Sequence, residues 1–200
     1  MRPHEWRRSR RQFLRASLVA PVTLLLTPVG ARTQTGRLRA TPACGERELT
    51  PAQTEGPYFK PRSPARASLL DPETSGTRIV IDGAVRTTGC APIPRALLDF
   101  WQADDRGRYD DAGYRLRGHQ FTDDSGRYRL ETVVPGVYPG RTRHIHVKVQ
   151  APEQPVLTTQ LYFPGEPMNR RDGLFDPALV VTMRSDEGAR ASFEFVLALR

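Results

Sequence analysis

The chain has little of the material that marks several common classes of protein. Its 200 residues include only two cysteines, two tryptophans and four histidines. The cysteines, Cys44 and Cys90, lie far apart, and therefore form no closely spaced pair of the kind that binds zinc or an iron–sulfur cluster. The sequence also shows no internal repeat, no low-complexity segment and no sustained helical period. Cysteine-based metal modules and repeat proteins are thus excluded.

Basic residues outnumber acidic ones, but the excess is confined to one end. The formal net charge is +8. Residues 1–40 hold nine arginines and a single acid, Glu5, whereas the remainder holds 21 basic and 21 acidic residues. Because the body has no net charge, it lacks the electrostatic footprint of a DNA- or RNA-binding protein. No nucleic-acid partner is predicted.

The basic segment is typical of an export signal. Ser9-Arg10-Arg11-Gln12-Phe13-Leu14-Arg15 precedes an apolar run from Ala16 to Val29, which is short for a membrane span. The paired arginines resemble a twin-arginine signal. We therefore predict a leader and tether over residues 1–40, a folded domain over 41–200, and a periplasmic or secreted protein with no stable membrane span after processing. A generic signal or an uncleaved anchor is the alternative.

Export would expose the two cysteines to an oxidising compartment. Cys44 and Cys90 could then form one disulfide, which in the chain-entropy account is worth roughly 4 kcal/mol for a loop of this length. Two buried thiols are the alternative.

The body has the pattern of an all-β protein. Proline (18) and glycine (16) are frequent, and short apolar runs alternate with turn residues. We predict an antiparallel β-sandwich with an immunoglobulin-like core and long connecting loops. The Pro-rich segment 50–64 is predicted to be an ordered loop laid over the body. The predicted strands are 78–85, 96–102, 126–132, 143–150, 157–163, 179–183 and 192–199.

Histidine is scarce, which makes one cluster informative. In the strand Arg143–Gln150, alternation places Ile145, Val147 and Val149 on one face and His144 and His146 on the other. Side chains two apart on a strand are about 6.5–7 Å apart, so the two imidazoles can converge on one metal ion. A pair of surface histidines is the alternative interpretation.

Tyrosines near the histidines distinguish among the metals. Tyr138 lies in a Pro-Gly turn ahead of the histidine strand, and Tyr109 follows the strand that ends at Gln102. A phenolate is a hard anionic donor that suits Fe³⁺ better than zinc or copper(I). A two-histidine, one-carboxylate Fe²⁺ site and a zinc site remain open, because acids are plentiful.

The ordered set of motifs resembles the intradiol ring-cleavage dioxygenases, the family of protocatechuate 3,4-dioxygenase and catechol 1,2-dioxygenase. The likeness extends over about residues 49–165, and several motifs occur in register. They are Gln53-Thr54-Glu55-Gly56-Pro57-Tyr58, Leu98-Asp99-Phe100-Trp101-Gln102-Ala103-Asp104, Gly107-Arg108-Tyr109, Leu116-Arg117-Gly118, Pro135-Gly136-Val137-Tyr138-Pro139, His144-Ile145-His146 and Thr159-Gln160-Leu161-Tyr162-Phe163-Pro164-Gly165.

The resemblance implies a role for each matching residue. Fe³⁺ would be bound by two tyrosines and two histidines, of which Tyr138 would leave the metal when substrate binds. Arg141 would stabilise charge on the substrate, Gln160 would lie beside it, and Tyr58 would line the pocket. The metal ligands implied are Tyr109, Tyr138, His144 and His146.

Several of these assignments have alternatives. Tyr114 could replace Tyr109, Arg141 could pair with an acid on the rim, and Gln160 could be a strand-side hydrogen-bond partner. Two further tyrosines, Tyr128 and Tyr162, are predicted to be packed, and His119 to be a polar strand residue.

The implied reaction is cleavage of a catechol-type ring between its two hydroxylated carbons by O2, giving a cis,cis-muconate-type diacid. The link between Tyr138 and His144 is shorter than in protocatechuate enzymes, and Gly140 stands where those carry a tryptophan. The substrate and the oligomeric state are thus left open. The alternatives are an exported β-sandwich module that binds a ligand or carbohydrate without turnover, and a zinc or copper hydrolytic site.

Overall fold

The computed structural model describes residues 47–184 and 189–199 and contains two four-stranded sheets. One sheet has the order β4-β1-β8-β7 and the other β3-β2-β5-β6. The predicted β-sandwich is confirmed. The strands are β1 (Arg78–Thr87), β2 (Leu97–Trp101), β3 (Arg117–Phe121), β4 (Arg127–Val133), β5 (His144–Gln150), β6 (Leu157–Tyr162), β7 (Thr182–Arg184) and β8 (Arg190–Leu197).

Three details differ from the prediction. Strand β3 is not among the predicted strands, although His119 is predicted to be a polar strand residue, because its sequence Arg-Gly-His-Gln-Phe has no apolar alternation. The strand predicted over residues 179–183 is instead the end of a 3-10 turn at Pro177–Leu179 followed by β7, because a proline begins the turn. The pairing is antiparallel throughout except between β1 and β8, which run parallel.

The core lies between the sheets and follows strand alternation. Ile145, Val147 and Val149 are fully buried, as the sequence predicts for the inward face of β5. They face Ile79 and Ile81 of β1 and their neighbours in one continuous apolar cluster. Each fully buried side chain of this type contributes about 1.5–3 kcal/mol relative to an exposed one. The core therefore fixes the register of β5 and with it the direction of the histidines.

The outward face of the β3-β2-β5-β6 sheet carries two polar rows. In one row His146 is paired with Trp101 of β2 and Gln160 of β6. In the next row Lys148 is paired with Asp99 and Thr158. Because side chains at paired positions point the same way, each row brings together residues that are distant in the sequence.

A segment before β1 covers this polar face. We call residues 50–66 the strap. Gln53 N donates to Thr158 O at 2.8 Å, Arg66 N donates to His119 O at 2.8 Å, and the Ser63 hydroxyl donates to the Asp99 carboxylate at 2.7 Å. The predicted ordered loop over residues 50–64 is therefore confirmed, and its role is to bury one face of the sheet.

The leader predicted over residues 1–40 lies outside the described residues, as does Cys44. Cys90 is disulfide-bonded and not a free thiol. Within residues 47–184 and 189–199, no helix has the length and apolar character needed to cross a membrane.

Candidate metal centre

The two histidines of β5 converge under the strap. His144 and His146 are 4% and 3% exposed, and their Nε2 atoms lie 3.1 Å apart. Two nitrogen ligands at about 2.1 Å from one ion, placed at right angles, are about 3 Å apart. The sequence alternative of two surface histidines is wrong, because the strap and the neighbouring tyrosines bury both rings.

Both imidazoles are in the state that binds metals. The Nδ1 atom of His144 donates to the carbonyl of Thr142 at 2.7 Å, which leaves Nε2 with its lone pair. Burial lowers the pKa of His144 to about 4. Burial, reinforced by the neighbouring His144 and Arg141, holds the pKa of His146 well below its usual value. Both rings are therefore neutral at pH 7, and the lone pairs of their Nε2 atoms can bind the same ion.

Packing, rather than hydrogen bonding, holds the ring of His146. It stacks on Trp101 with centroids 4.8 Å apart and planes at 5°. Gly56 of the strap also approaches the ring, with φ +70°, and a Cβ there would lie 3.4 Å from the ring's Cε1 atom. The Nδ1 atom of His146 is buried without a hydrogen-bond partner among the residues that the structure describes.

Three tyrosines form a cluster of mutual contacts that meets the imidazoles through Tyr109. The Tyr109 hydroxyl lies 3.2 Å from Nε2 of His144. The Tyr138 hydroxyl lies 3.0 Å from that of Tyr58, and the Tyr109 and Tyr138 rings meet edge to face at 5.9 Å. Tyr58 stacks on Tyr109 with centroids 4.3 Å apart. Tyr114, the alternative to Tyr109, instead donates its hydroxyl to the carbonyl of Pro61.

Two of the phenols, those of Tyr109 and Tyr58, have raised pKa values. Burial raises the pKa of Tyr109, while the charges of Arg141 and Arg117 oppose that rise. The hydrogen bond with Tyr138 raises the pKa of Tyr58. Both phenols therefore stay protonated unless a cation binds nearby and favours the anion. The described part of the chain contains no cluster of three His, Cys, Asp or Glu that could hold a metal.

A polar network lies beside this cluster. Arg141 Nε donates to both carboxylate oxygens of Asp172, at 3.0 and 2.9 Å. Its Nη2 donates to Gln160 Oε1 at 2.6 Å and to the Tyr162 hydroxyl at 3.3 Å. Arg141 thus has the acid partner of the alternative interpretation, but that acid is buried and does not lie on the rim. Gln160 also bonds to the strap, through Nε2 to the Thr54 carbonyl.

Tyr128 and His119 lie away from the imidazoles, whereas Tyr162 lies beside them. Tyr128 is 5% exposed in the core, with its hydroxyl bonded to the Phe193 carbonyl. His119 is in β3, where its ring bonds to Ser63. Tyr162 is fully buried as predicted, although its hydroxyl joins the Arg141 network.

Sequence reasoning missed two residues of the site. Asp172 lies in an irregular segment whose only local signal is the turn pair Asp172-Gly173. Arg117 lies in a recognised motif but received no role. It is 1% exposed and donates to the carbonyls of Tyr58 and Asp110, so it ties together the two segments that carry the stacked tyrosines.

Comparisons with known proteins relate the chain to dioxygenases. A family model described as Dioxygenase matches residues 54–198. The chain is 33% identical over 156 residues to the protocatechuate 3,4-dioxygenase beta chain of Burkholderia cepacia, covering 64% of this chain and 66% of that one. It is 31% identical over 153 residues to catechol 1,2-dioxygenase of Pseudomonas sp. (strain EST1001), covering 63% and 51%. The chain thus spans about half to two thirds of the length of these curated relatives.

Solved structures of dioxygenases have a similar fold. The dioxygenase domain of a dioxygenase carbohydrate-binding protein fusion from the cellulolytic bacterium Streptomyces sp. SirexAA-E superposes with a TM-score of 0.74 at 56% identity, covering 76% of this chain and 100% of that one. The 3-chlorocatechol 1,2-dioxygenase of Rhodococcus opacus 1CP superposes with a TM-score of 0.71 at 28% identity, covering 76% and 73%.

The sandwich and the matching model define the class of protein as a dioxygenase. Within that class, the chain belongs to the intradiol ring-cleavage dioxygenase family.

Proposed function

We propose that the protein cleaves a catechol-type ring between its two hydroxylated carbons with O2, using Fe³⁺ held by Tyr109, Tyr138, His144 and His146. The observation that carries the proposal is the convergence of two neutral imidazole nitrogens, 3.1 Å apart, with the Tyr109 hydroxyl 3.2 Å from one of them. Both oxygen atoms would enter the product, a cis,cis-muconate-type diacid.

The donor set fits the proposed metal. Two imidazoles and two phenolates offer hard donors and two negative charges, which suit a trivalent ion better than zinc or copper(I). With no cluster of three His, Cys, Asp or Glu in the described ranges, the phenols are the donors at hand to complete the set. When bound, Fe³⁺ supplies an electrophilic centre that orients the two catechol oxygens and makes the ring reactive towards O2.

Tyr138 and Tyr58 are placed to handle a proton. A catechol gives up two protons to bind as a dianion; the phenolate oxygen of Tyr138 would accept one, and hydroxide in the site would accept the other. The Tyr138 hydroxyl lies 3.0 Å from that of Tyr58. Tyr58 would therefore fix the position of the protonated Tyr138, in addition to the pocket-lining role that the resemblance implies.

Arg141 supplies positive charge beside the centre. Its charge opposes the rise that burial causes in the pKa of Tyr109 and adds to the fall that burial causes in the pKa of His146. Negative charge that develops on the substrate as the ring opens would be stabilised by the same cation. Gln160 holds this arginine through its Oε1 atom and holds the strap through its Nε2 atom.

The location proposed for this activity is outside the cytoplasm. The arginine pair and apolar run of residues 10–29 support export of the folded, metal-loaded chain by a twin-arginine route. N-terminal sequencing of the protein from periplasm or medium would test the processing. Protein from these fractions that begins at Met1 would contradict cleavage of the leader, and recovery from the cytoplasm alone would contradict export; neither result would affect the site.

Colour and oxygen uptake test the function itself. Iron-loaded protein should absorb visible light through phenolate-to-iron charge transfer, and a panel of catechols should consume one O2 per muconate formed. The Tyr138→Phe variant should shift the band, whereas the matched Tyr114→Phe variant should not. Colourless iron-loaded protein, or catechol binding without O2 uptake, would reject the dioxygenase in favour of a binding module. Stoichiometric zinc or copper would indicate a hydrolytic site.

A further inference from the structure

We infer that Asp172 is a positioning residue for the proposed reaction, because it fixes the plane of the Arg141 guanidinium and leaves one of its nitrogens for the substrate. The inference rests on the proposed function, since it concerns how charge is presented at the same site. It assigns a role to a residue outside the proposed ligand set and outside the motifs that carry the family resemblance.

The contacts of Arg141 use two of its three nitrogens. Nε bonds to both oxygens of Asp172, and Nη2 bonds to Gln160 and Tyr162. No residue in the described ranges accepts a hydrogen bond from Nη1. Because the guanidinium is planar and rigid, fixing Nε and Nη2 also fixes the direction of Nη1. That nitrogen is the one left to meet an anionic ligand.

Asp172 is itself held firmly. Its side chain is 1% exposed, and it accepts bonds from the backbone nitrogens of Thr142 and Leu174, each at 2.9 Å. The pKa of Asp172 is lowered by these backbone bonds and by Arg141, although burial opposes the shift. A buried carboxylate with this many donors cannot rotate without leaving one of them unpaired. The clamp on Arg141 is therefore rigid.

The turn that carries Asp172 also supports the histidine strand. Thr142, whose backbone nitrogen binds Asp172, bonds through its hydroxyl to Asn169 at 2.7 Å. The carbonyl of the same Thr142 accepts the hydrogen bond from His144. The short segment around residues 166–175 thus holds both the Arg141 guanidinium and the backbone of Thr142, which lies just ahead of His144. It therefore links the position of the guanidinium to that of the first imidazole.

The alternative role for Asp172 is structural only, as an acid that closes a turn. A structural role would predict a loss of stability without a selective effect on turnover. A positioning role predicts that turnover falls while substrate binding is largely kept, because the interaction of Arg141 strengthens as charge develops. The two roles therefore differ in measurable ways.

The main test is Asp172→Asn in the iron-loaded protein. Misplacing a charge-stabilising group costs on the order of 10- to 100-fold in rate, so kcat should fall by about that factor while KM changes less than about threefold. Iron content and the visible band should be retained. The matched control is Asp71→Asn, which also removes a carboxylate that closes a turn, through Thr74 and Glu73. It should leave kcat unchanged.

A double-variant cycle asks whether Asp172 acts through Arg141. In an Arg141→Gln background, Asp172→Asn should lower kcat by less than about threefold, because the group that it positions is already gone. An equal loss in both backgrounds would overturn the inference. If Asp172→Asn does not fold, Arg141→Lys serves instead, because it keeps Asp172 and the charge but lacks Nε–H. Full turnover in that variant would also overturn it.

A readout without turnover separates this inference from the proposed function. In metal-free protein, the Arg141 Nε–H proton should exchange slowly with water and appear in ¹H–¹⁵N spectra, assigned by its loss in Arg141→Lys. Asp172→Asn should remove it, and Asp71→Asn should keep it. Persistence of the signal in Asp172→Asn would overturn the clamp. If the signal behaves as expected but the iron-loaded wild-type protein is catalytically inactive, the proposed function is overturned instead.

Discussion

The outward faces of the two sheets follow the same alternation but differ in what covers them. On the β3-β2-β5-β6 sheet the strap buries His146, and Trp101 and Gln160 beside it are buried as well. On the β4-β1-β8-β7 sheet the outward residues include Arg129, which pairs with Asp82 at 3.3 Å and Glu131 at 3.2 Å on an open surface. The outward face of the β3-β2-β5-β6 sheet therefore carries buried hydrogen-bonding groups and proposed metal ligands, whereas that of the β4-β1-β8-β7 sheet carries exposed ion pairs.

The difference shows that pointing outward from a strand is not sufficient to make a site. Exposed ion pairs are screened by water and contribute about 0–1 kcal/mol each. Under the strap, loss of water keeps the imidazoles neutral and raises the cost of any unpaired charge. The strap thus converts one of two similar faces into a place where a cation could be held.

Removing one donor from the covered face should have the largest effect. His146→Ala should lose bound iron and lower activity by at least about 100-fold, since ligand loss leaves the remaining donors short of a closed set. Metal analysis and the visible band measure this. His119→Ala, which removes a histidine from the neighbouring polar row, should keep both. Equal iron loss in the two variants would contradict the prediction that the row of His146 binds the metal and the row of His119 does not.

The covered histidines should also make the metal-free protein sensitive to mild acid. Burial lowers the pKa of His144 to about 4, whereas the unfolded chain titrates near 6.5. The unfolded state therefore binds more protons as pH falls below about 6.5, and the free energy of unfolding decreases. We expect a loss of about 2 kcal/mol or more between pH 7 and 4.5, from chemical unfolding curves.

A double variant, His144→Gln with His146→Gln, should flatten this pH dependence, whereas His119→Gln should preserve it. An unchanged slope in the double variant would mean that other groups produce the acid sensitivity.

Two glycines allow the strap contact to be separated from backbone strain. Gly56 has φ +70° and Gly165 has φ +74°, but only at Gly56 would a Cβ meet a neighbour, the His146 ring at 3.4 Å. Alanine at either position should cost about 1–2 kcal/mol for the left-handed backbone. Only Gly56→Ala should alter the visible band as well. A band shift in Gly165→Ala would show that the effect is not local.

A substitution on the exposed outward face of the β4-β1-β8-β7 sheet should have the smallest effect. Arg129→Ala removes two ion pairs from a side chain that is 46% exposed, and should change stability by less than about 1 kcal/mol without affecting iron content or turnover. Thermal unfolding and the oxygen-uptake assay measure these. A large loss of activity would mean that the two faces are coupled through the core.

Part of this architecture could be predicted from sequence, because its signals are local. Alternation in β5 predicted which side chains enter the core, and Ile145 and Val147 are fully buried. The Pro-rich composition of residues 50–64 predicted an ordered loop. The bounds of strand β3 could not be predicted, although His119 was expected in a strand, since Arg117 and His119 are held by pairing with β2 and not by apolar alternation.

Local signals in the sequence were sufficient for the β class of the fold, for the face on which His144 and His146 lie, and for the motifs that the family shares. The packing of the whole chain was needed to show that Tyr109 rather than Tyr114 meets the imidazoles, and that Asp172 holds Arg141. The physical reason is that alternation along a strand is set by local geometry, whereas contacts between a strand and distant irregular segments depend on how the whole chain packs. A hydrogen bond between residues 141 and 172 leaves no periodic trace in either segment.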